Sequence, residues 1–171
     1  MIHRSIRLVM GIAAVAAMAL VAQAETKTWT GDGDWFVNTE NWDGGLPAEG
    51  DEVVMASGHL LLTNSTPWLA SYTQLAGTNT MSNWTTRLQA VEVTLTGGTL
   101  RHTIQSDIEG TRGQYDTWTP DARVWIVASN VTIGSNASIN VNARGYRGGW
   151  YVATNDNSKG LGFGPGGGER S

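Results

Sequence analysis

Eight tryptophans, two histidines past residue 24 and a scatter of carboxylates are the side chains in this sequence that could do chemistry. An exposed indole can stack on the apolar face of a sugar while its N–H binds a hydroxyl. Trp68, Trp118 and Trp150 lie in turn-rich surroundings and are the candidate carbohydrate contacts. Trp29, Trp35 and Trp42 are spaced to pack against one another, and Trp84 and Trp125, inside β-rich blocks, read as core. Asp32 and Asp34, in the run Gly-Asp-Gly-Asp, could offer oxygens to a weakly held Ca²⁺, with Asp43 and Asp51 near in sequence. The run lacks the twelve-residue calcium loop with its terminal Glu, and Asp-Gly is equally a turn pair.

Catalytic chemistry finds little support. There is no cysteine to act as a thiol nucleophile, and His59 and His102 stand apart. Glu92, Asp107, Glu109, Asp116 and Asp121, with Arg87, Arg101 and Arg123, include no pair at a spacing that suggests concerted acid–base work. The expectation is a chain with no active site of its own. Gly162-Phe163-Gly164-Pro165-Gly166-Gly167 formally matches a dinucleotide-binding glycine motif. Such a motif needs a helix N-terminus behind it to face the pyrophosphate, and no helical pattern follows. No cofactor is therefore expected beyond the Ca²⁺ alternative.

The elements that must position these residues are strands. Residues 1–24 carry Arg4 and Arg7, a short apolar stretch over 8–22, and Ala22-Gln23-Ala24. These are the parts of a secretory signal peptide, with cleavage expected after Ala24. Its removal leaves nine of the eleven basic residues against fifteen acidic ones, a net charge of −6. A mildly acidic chain without a basic cluster does not suit nucleic acid or an anionic membrane. Beyond residue 24, Gly, Thr, Asn, Ser and Val dominate, and no segment sustains a helical apolar period. That composition predicts an all-β protein.

Residues 25–52 read as a tryptophan-rich N-terminal cap, with turn signals at Gly31-Asp32-Gly33-Asp34, at residues 44–47 and at Gly50-Asp51. A different rhythm occupies residues 53–144. Short apolar runs end at Gly58, Gly77 and Gly97, which stand 19 and 20 residues apart, and Ser135 lies 38 further on. A period near 20 in a β-rich chain predicts a β-solenoid, whose coils bury their inner faces only by stacking. The 38-residue interval reads as two such steps, one obscured by an insertion at about 107–121. The alternative is an antiparallel β-sandwich, whose turns recur at about 8–12 residues and can mimic a doubled period. Residues 145–171 read as a glycine-rich loop in which a solenoid would be interrupted.

The stretch from Trp29 to Val53 resembles the start of repeats in bacterial autotransporter-associated and other secreted β-solenoid proteins. The matching positions are Trp29, Gly31, Trp35, Asn41, Trp42, Gly45, Pro47, Gly50, Asp51 and Val53. Residues 83–168 are also similar to the opening coils of large secreted bacterial proteins. The resemblance implies a right-handed parallel β-helix and a non-enzymatic, adhesin-like segment of an exported protein, secreted, at the cell surface or in the periplasm. Its partners would be extracellular polysaccharide or matrix components, with no membrane contact once the signal is cleaved. Two alternatives stay open: a carbohydrate-binding module, and the N-terminal part of a β-helix polysaccharide lyase or hydrolase.

Overall fold

A computed structural model describes residues 24–104 and 121–145. The signal segment, the 107–121 insertion up to residue 120, Trp118, Trp150 and the glycine-rich stretch from residue 146 lie outside the described residues. The described chain is all-β, apart from one 3-10 turn at Thr39–Asn41. Nine strands form one sheet: β1 (Thr26–Trp29), β2 (Asp32–Asp34), β3 (Trp42–Asp43), β4 (Glu52–Met55), β5 (His59–Leu62), β6 (Leu69–Gln74), β7 (Thr78–Met81), β8 (Leu88–His102) and β9 (Ile126–Ile139). Strand β1 pairs antiparallel with β3, and every other pairing is parallel. The antiparallel sandwich is therefore not what forms. Inward residues recur at the same place in successive rows, and parallel stacking lets like sit on like.

The sheet contains two parallel ladders. One runs β1–β4–β6–β8–β9 and the other β2–β5–β7–β8–β9, because β8 and β9 are long enough to serve both. The register gives the step directly. Val53 lies opposite Tyr72, 19 residues on, and Tyr72 opposite Val93, 21 on. The cap region is itself the first row, since Lys27 pairs with Val53 and Gly33 with Leu60.

Between the two strands of a row the chain bends at a glycine with positive φ: Gly58, Gly77 and Gly98. A Cβ on Gly77 would stand 2.3 Å from the Gly58 carbonyl oxygen, and one on Gly98 2.2 Å from that of Gly77. Each such carbonyl accepts the N–H that follows the next glycine, Thr78 from Gly58 and Thr99 from Gly77, both at 2.9 Å. The corner residue is thus Gly98, one position beyond the Gly97 that the period suggests.

Val93 lies opposite Val131 and Leu100 opposite Ile139, so β9 sits directly on β8. The 38-residue interval is one step and not two. No further strand can come between them, because the hydrogen-bonding edge of β8 is already filled. The ladder shifts register between Leu95 and Gly97, where Thr96 alone spans Gly134 and Ser135. Such a bulge absorbs one extra residue.

Inward side chains fill the space behind the ladders. Trp29, Trp35 and Trp42 are buried as expected, with Trp42 edge-on to both others at 5.1 and 4.5 Å between ring centroids. Met55, Leu60, Leu62, Leu69, Tyr72, Met81, Leu88, Val93, Leu95 and Leu100 continue the core. The loops that return from one row to the next are six residues long at 63–68 and 82–87. They stack through side chains: Asn83 Nδ2 donates to the Thr63 carbonyl at 2.8 Å, and the Gln89 amide to Thr66 Oγ1 at 2.9 Å.

Candidate functional site

Asp32 and Asp34 share one face of the short strand β2, but their carboxylates already serve protein donors. Asp32 Oδ1 accepts the His59 amide at 2.6 Å. Asp34 Oδ1 accepts the Phe36 and Val37 amides at 2.8 and 3.1 Å, and its Oδ2 accepts the Thr63 hydroxyl at 2.6 Å. Asp51 likewise caps a turn through the Glu25 and Ala48 amides. Among the described residues no three metal-ligating side chains converge.

A second polar group forms where the ladder of β5, β7 and β8 faces outward. His59 Nε2 is 2.8 Å from Thr80 Oγ1, which also accepts Arg101 Nε at 3.1 Å. Burial, then the Arg101 charge, hold the His59 pKa below its ordinary value, so the imidazole favours its neutral form. His102 is buried and donates Nδ1–H to the Thr103 carbonyl at 2.6 Å. The two histidines occupy separate roles, one on the outer face and one inside.

Trp68 stands just before β6 and is 42% exposed, with its carbonyl taking the Gly50 amide at 2.9 Å. Its ring makes no aromatic or cation–π contact among the described residues. Of the three tryptophans expected to touch carbohydrate, it alone lies within the described residues.

Trp84 and Trp125 depart from the expectation of core. Both are half-buried on the side formed by the return loops, where they interleave with two arginines. The Arg87 guanidinium lies 3.9 Å from the Trp125 ring centroid, and Arg123 lies 3.6 Å from Trp125 and 4.5 Å from Trp84. The order of the stack is Arg87, Trp125, Arg123, Trp84. Pairing of Leu88 with Ile126 sets Arg87 beside Trp125 in the neighbouring row. The Leu88 amide reaches the Trp125 carbonyl at 3.0 Å, and Arg123 Nε donates to the Trp84 carbonyl at 2.8 Å. Sequence reasoning missed this cluster because 36 or more residues separate its halves. The signal was Trp-x-x-Arg at 84–87 and Arg-x-Trp at 123–125, meaningful only once one strand-to-strand step is allowed to be 38 residues long.

Beside the stack an open groove of about 460 Å³ is lined by Ser82, Asn83, Trp84, Thr85, Thr103 and Asp121, among others. Its lining includes Asn83, which holds a left-handed backbone (φ 74°) that Asn tolerates better than most residues. The groove can offer hydroxyl and amide groups to a polar ligand, with cations at its flank. Comparison with protein-family models, with curated proteins and with solved structures gives no match to this chain.

Proposed function

We propose that this chain is a structural segment of an exported protein, the opening coils of a right-handed parallel β-helix that takes part in surface or matrix attachment without catalysis of its own. The observation that carries this reading is the pair of in-register parallel ladders advancing by 19 and then 21 residues per row. Crossovers between parallel strands of one sheet are right-handed in about 98% of cases, which favours that hand here. A stack of coils gives a long rigid rod from short repeats, which suits a spacer or adhesive stalk. The positions shared with autotransporter-associated repeats and the signal-like residues 1–24 support export. The test is deletion of residues 25–145 from the chromosomal gene, followed by measurement of cell attachment and matrix mass. Both should fall while growth is unaffected; unchanged attachment would overturn the reading.

A further inference from the structure

A single arginine between two rings is commonly a clamp, and Arg123 does fasten the returning chain to Trp84 through its Nε. The stack holds more cationic capacity than a clamp needs. The only ion pair among the described residues is Lys27 with Glu25, so neither Arg87 nor Arg123 is neutralised by a carboxylate there. Arg123 spends only Nε on the protein, and both of its terminal amino groups have no acceptor among the described residues. Arg87 Nε is buried with no acceptor among the described residues. Two guanidinium groups with unspent donors are thus held rigid by indole faces, so little rotamer freedom remains to be lost on binding.

The groove beside them supplies the rest of a recognition surface. Ser82, Thr85 and Thr103 bring hydroxyls, Asn83 an amide, and Trp84 an indole wall common to stack and groove. Its volume falls within the range of ligand clefts, about 300–1,000 Å³. Asp121 places a carboxylate on the same lining, so an acidic ligand must seat its own carboxylate on the arginine side of the groove. A ligand suited to this place carries hydroxyls along a flat ring and a carboxylate that a guanidinium fork can take in two hydrogen bonds.

We propose that the Arg87–Trp125–Arg123–Trp84 stack and its groove bind an acidic polysaccharide, with a uronate carboxylate on the terminal amino groups of Arg123 and sugar hydroxyls on Ser82, Thr85 and Thr103. This goes beyond the scaffold reading and stands or falls separately from it. The whole chain carries a formal charge of −4, so general electrostatics would repel an acidic polymer and retention would report a local site.

The experiment is affinity electrophoresis and calorimetry of the full chain with polygalacturonate and alginate, and with fully methyl-esterified polygalacturonate as the uncharged counterpart. Binding to at least one acidic polymer, roughly tenfold or more tighter than to the ester and weakened by salt, is expected. Arg123→Lys keeps the charge but removes the fork and should weaken binding about tenfold, as should Arg87→Gln. Near-ultraviolet circular dichroism and thermal midpoints establish that each variant is folded, and a variant that is not is replaced by Trp84→Phe. Trp68→Ala should bind as the parent does. Absence of binding to both acidic polymers, equal binding to the ester, or full binding by folded Arg123→Lys would each overturn the proposal. So would loss of binding in Trp68→Ala alone, since that places recognition elsewhere.

Discussion

At Tyr72 the interior contains a phenol with no exposed surface, one of the few polar groups among the inward side chains. Asn79 Nδ2 donates to its hydroxyl oxygen at 2.9 Å, while Asn79 Oδ1 has no donor among the described residues. Gln74, next inward along β6, donates Nε2 to the carbonyls of Gly77 and Thr99, both at 3.2 Å, and so ties core to corner. Tyr72→Phe would strand the Asn79 amide and should cost about 1–3 kcal/mol in urea unfolding at neutral pH. Burial also drives the Tyr72 pKa far above the ordinary tyrosine value. A pKa raised by folding contributes stability that is complete below the unfolded value, about 10, and is lost as pH climbs toward the folded one. The parent should therefore lose stability between about pH 10 and 11.5 by more than Tyr72→Phe does, as compared from urea midpoints. Equal losses would show that other groups govern the alkaline limit.

The corner between strands is the element on which the stack depends. Gly77 combines a φ of +78° with a carbonyl oxygen 2.3 Å from where a Cβ would lie. Gly45 has nearly the same φ, +81°, and open space around it. The pair separates two effects. Gly45→Ala should cost only the conformational penalty, about 1 kcal/mol. Gly77→Ala adds displacement of a whole row and should cost about 2–4 kcal/mol in the same denaturation assay. Comparable costs would mean that the row spacing yields easily. The existence of this corner column was legible in the sequence, because a left-handed bend demands glycine and the demand recurs in three successive rows, before lapsing at β9, where Ala137 stands opposite Gly98. Its last member was misplaced by one residue, since Gly97 and Gly98 are adjacent and only the neighbouring carbonyl distinguishes them.

The two ends of the described stack are built differently. At the first row, inward-facing Lys27 is 7% exposed, ion-paired with Glu25 and bonded to the Gly44 carbonyl, while β3 and the tryptophan cluster cover the remainder. An inward charge and a short antiparallel strand both discourage further stacking. At β9 the same inward columns end in Val131, Ile133 and Ile139, each more than two-fifths exposed, and the strand carries no charged residue. Leu95 and Ile133 are partners in one column, buried and half-exposed respectively. Leu95→Ala should cost about 2–5 kcal/mol, and Ile133→Ala about 1 kcal/mol or less, by urea unfolding of the full chain. Similar costs would show that Ile133 is covered in solution and that the stack continues past β9.

By itself the sequence determined the all-β class, the turns at residues 44–47 and at Gly50, the packing of Trp29, Trp35 and Trp42, and a repeat near twenty residues, whereas the expected turn at residues 31–34 is strand β2. Each of these rests on backbone preferences or side-chain volume expressed within a few residues, or on one pattern recurring along the chain. The tertiary structure decided which row lies on which. Burial of Val93 against Val131 and of Leu88 beside Ile126 selects one register out of several that the period allows. That choice makes the 38-residue interval a single step from β8 to β9 and brings Arg87 and Trp84 to Arg123 and Trp125. Trp84 and Trp125 look like core from their β-rich neighbours. What turned them into a half-exposed cation–π stack was pairing across the long step, a contact that local sequence does not encode.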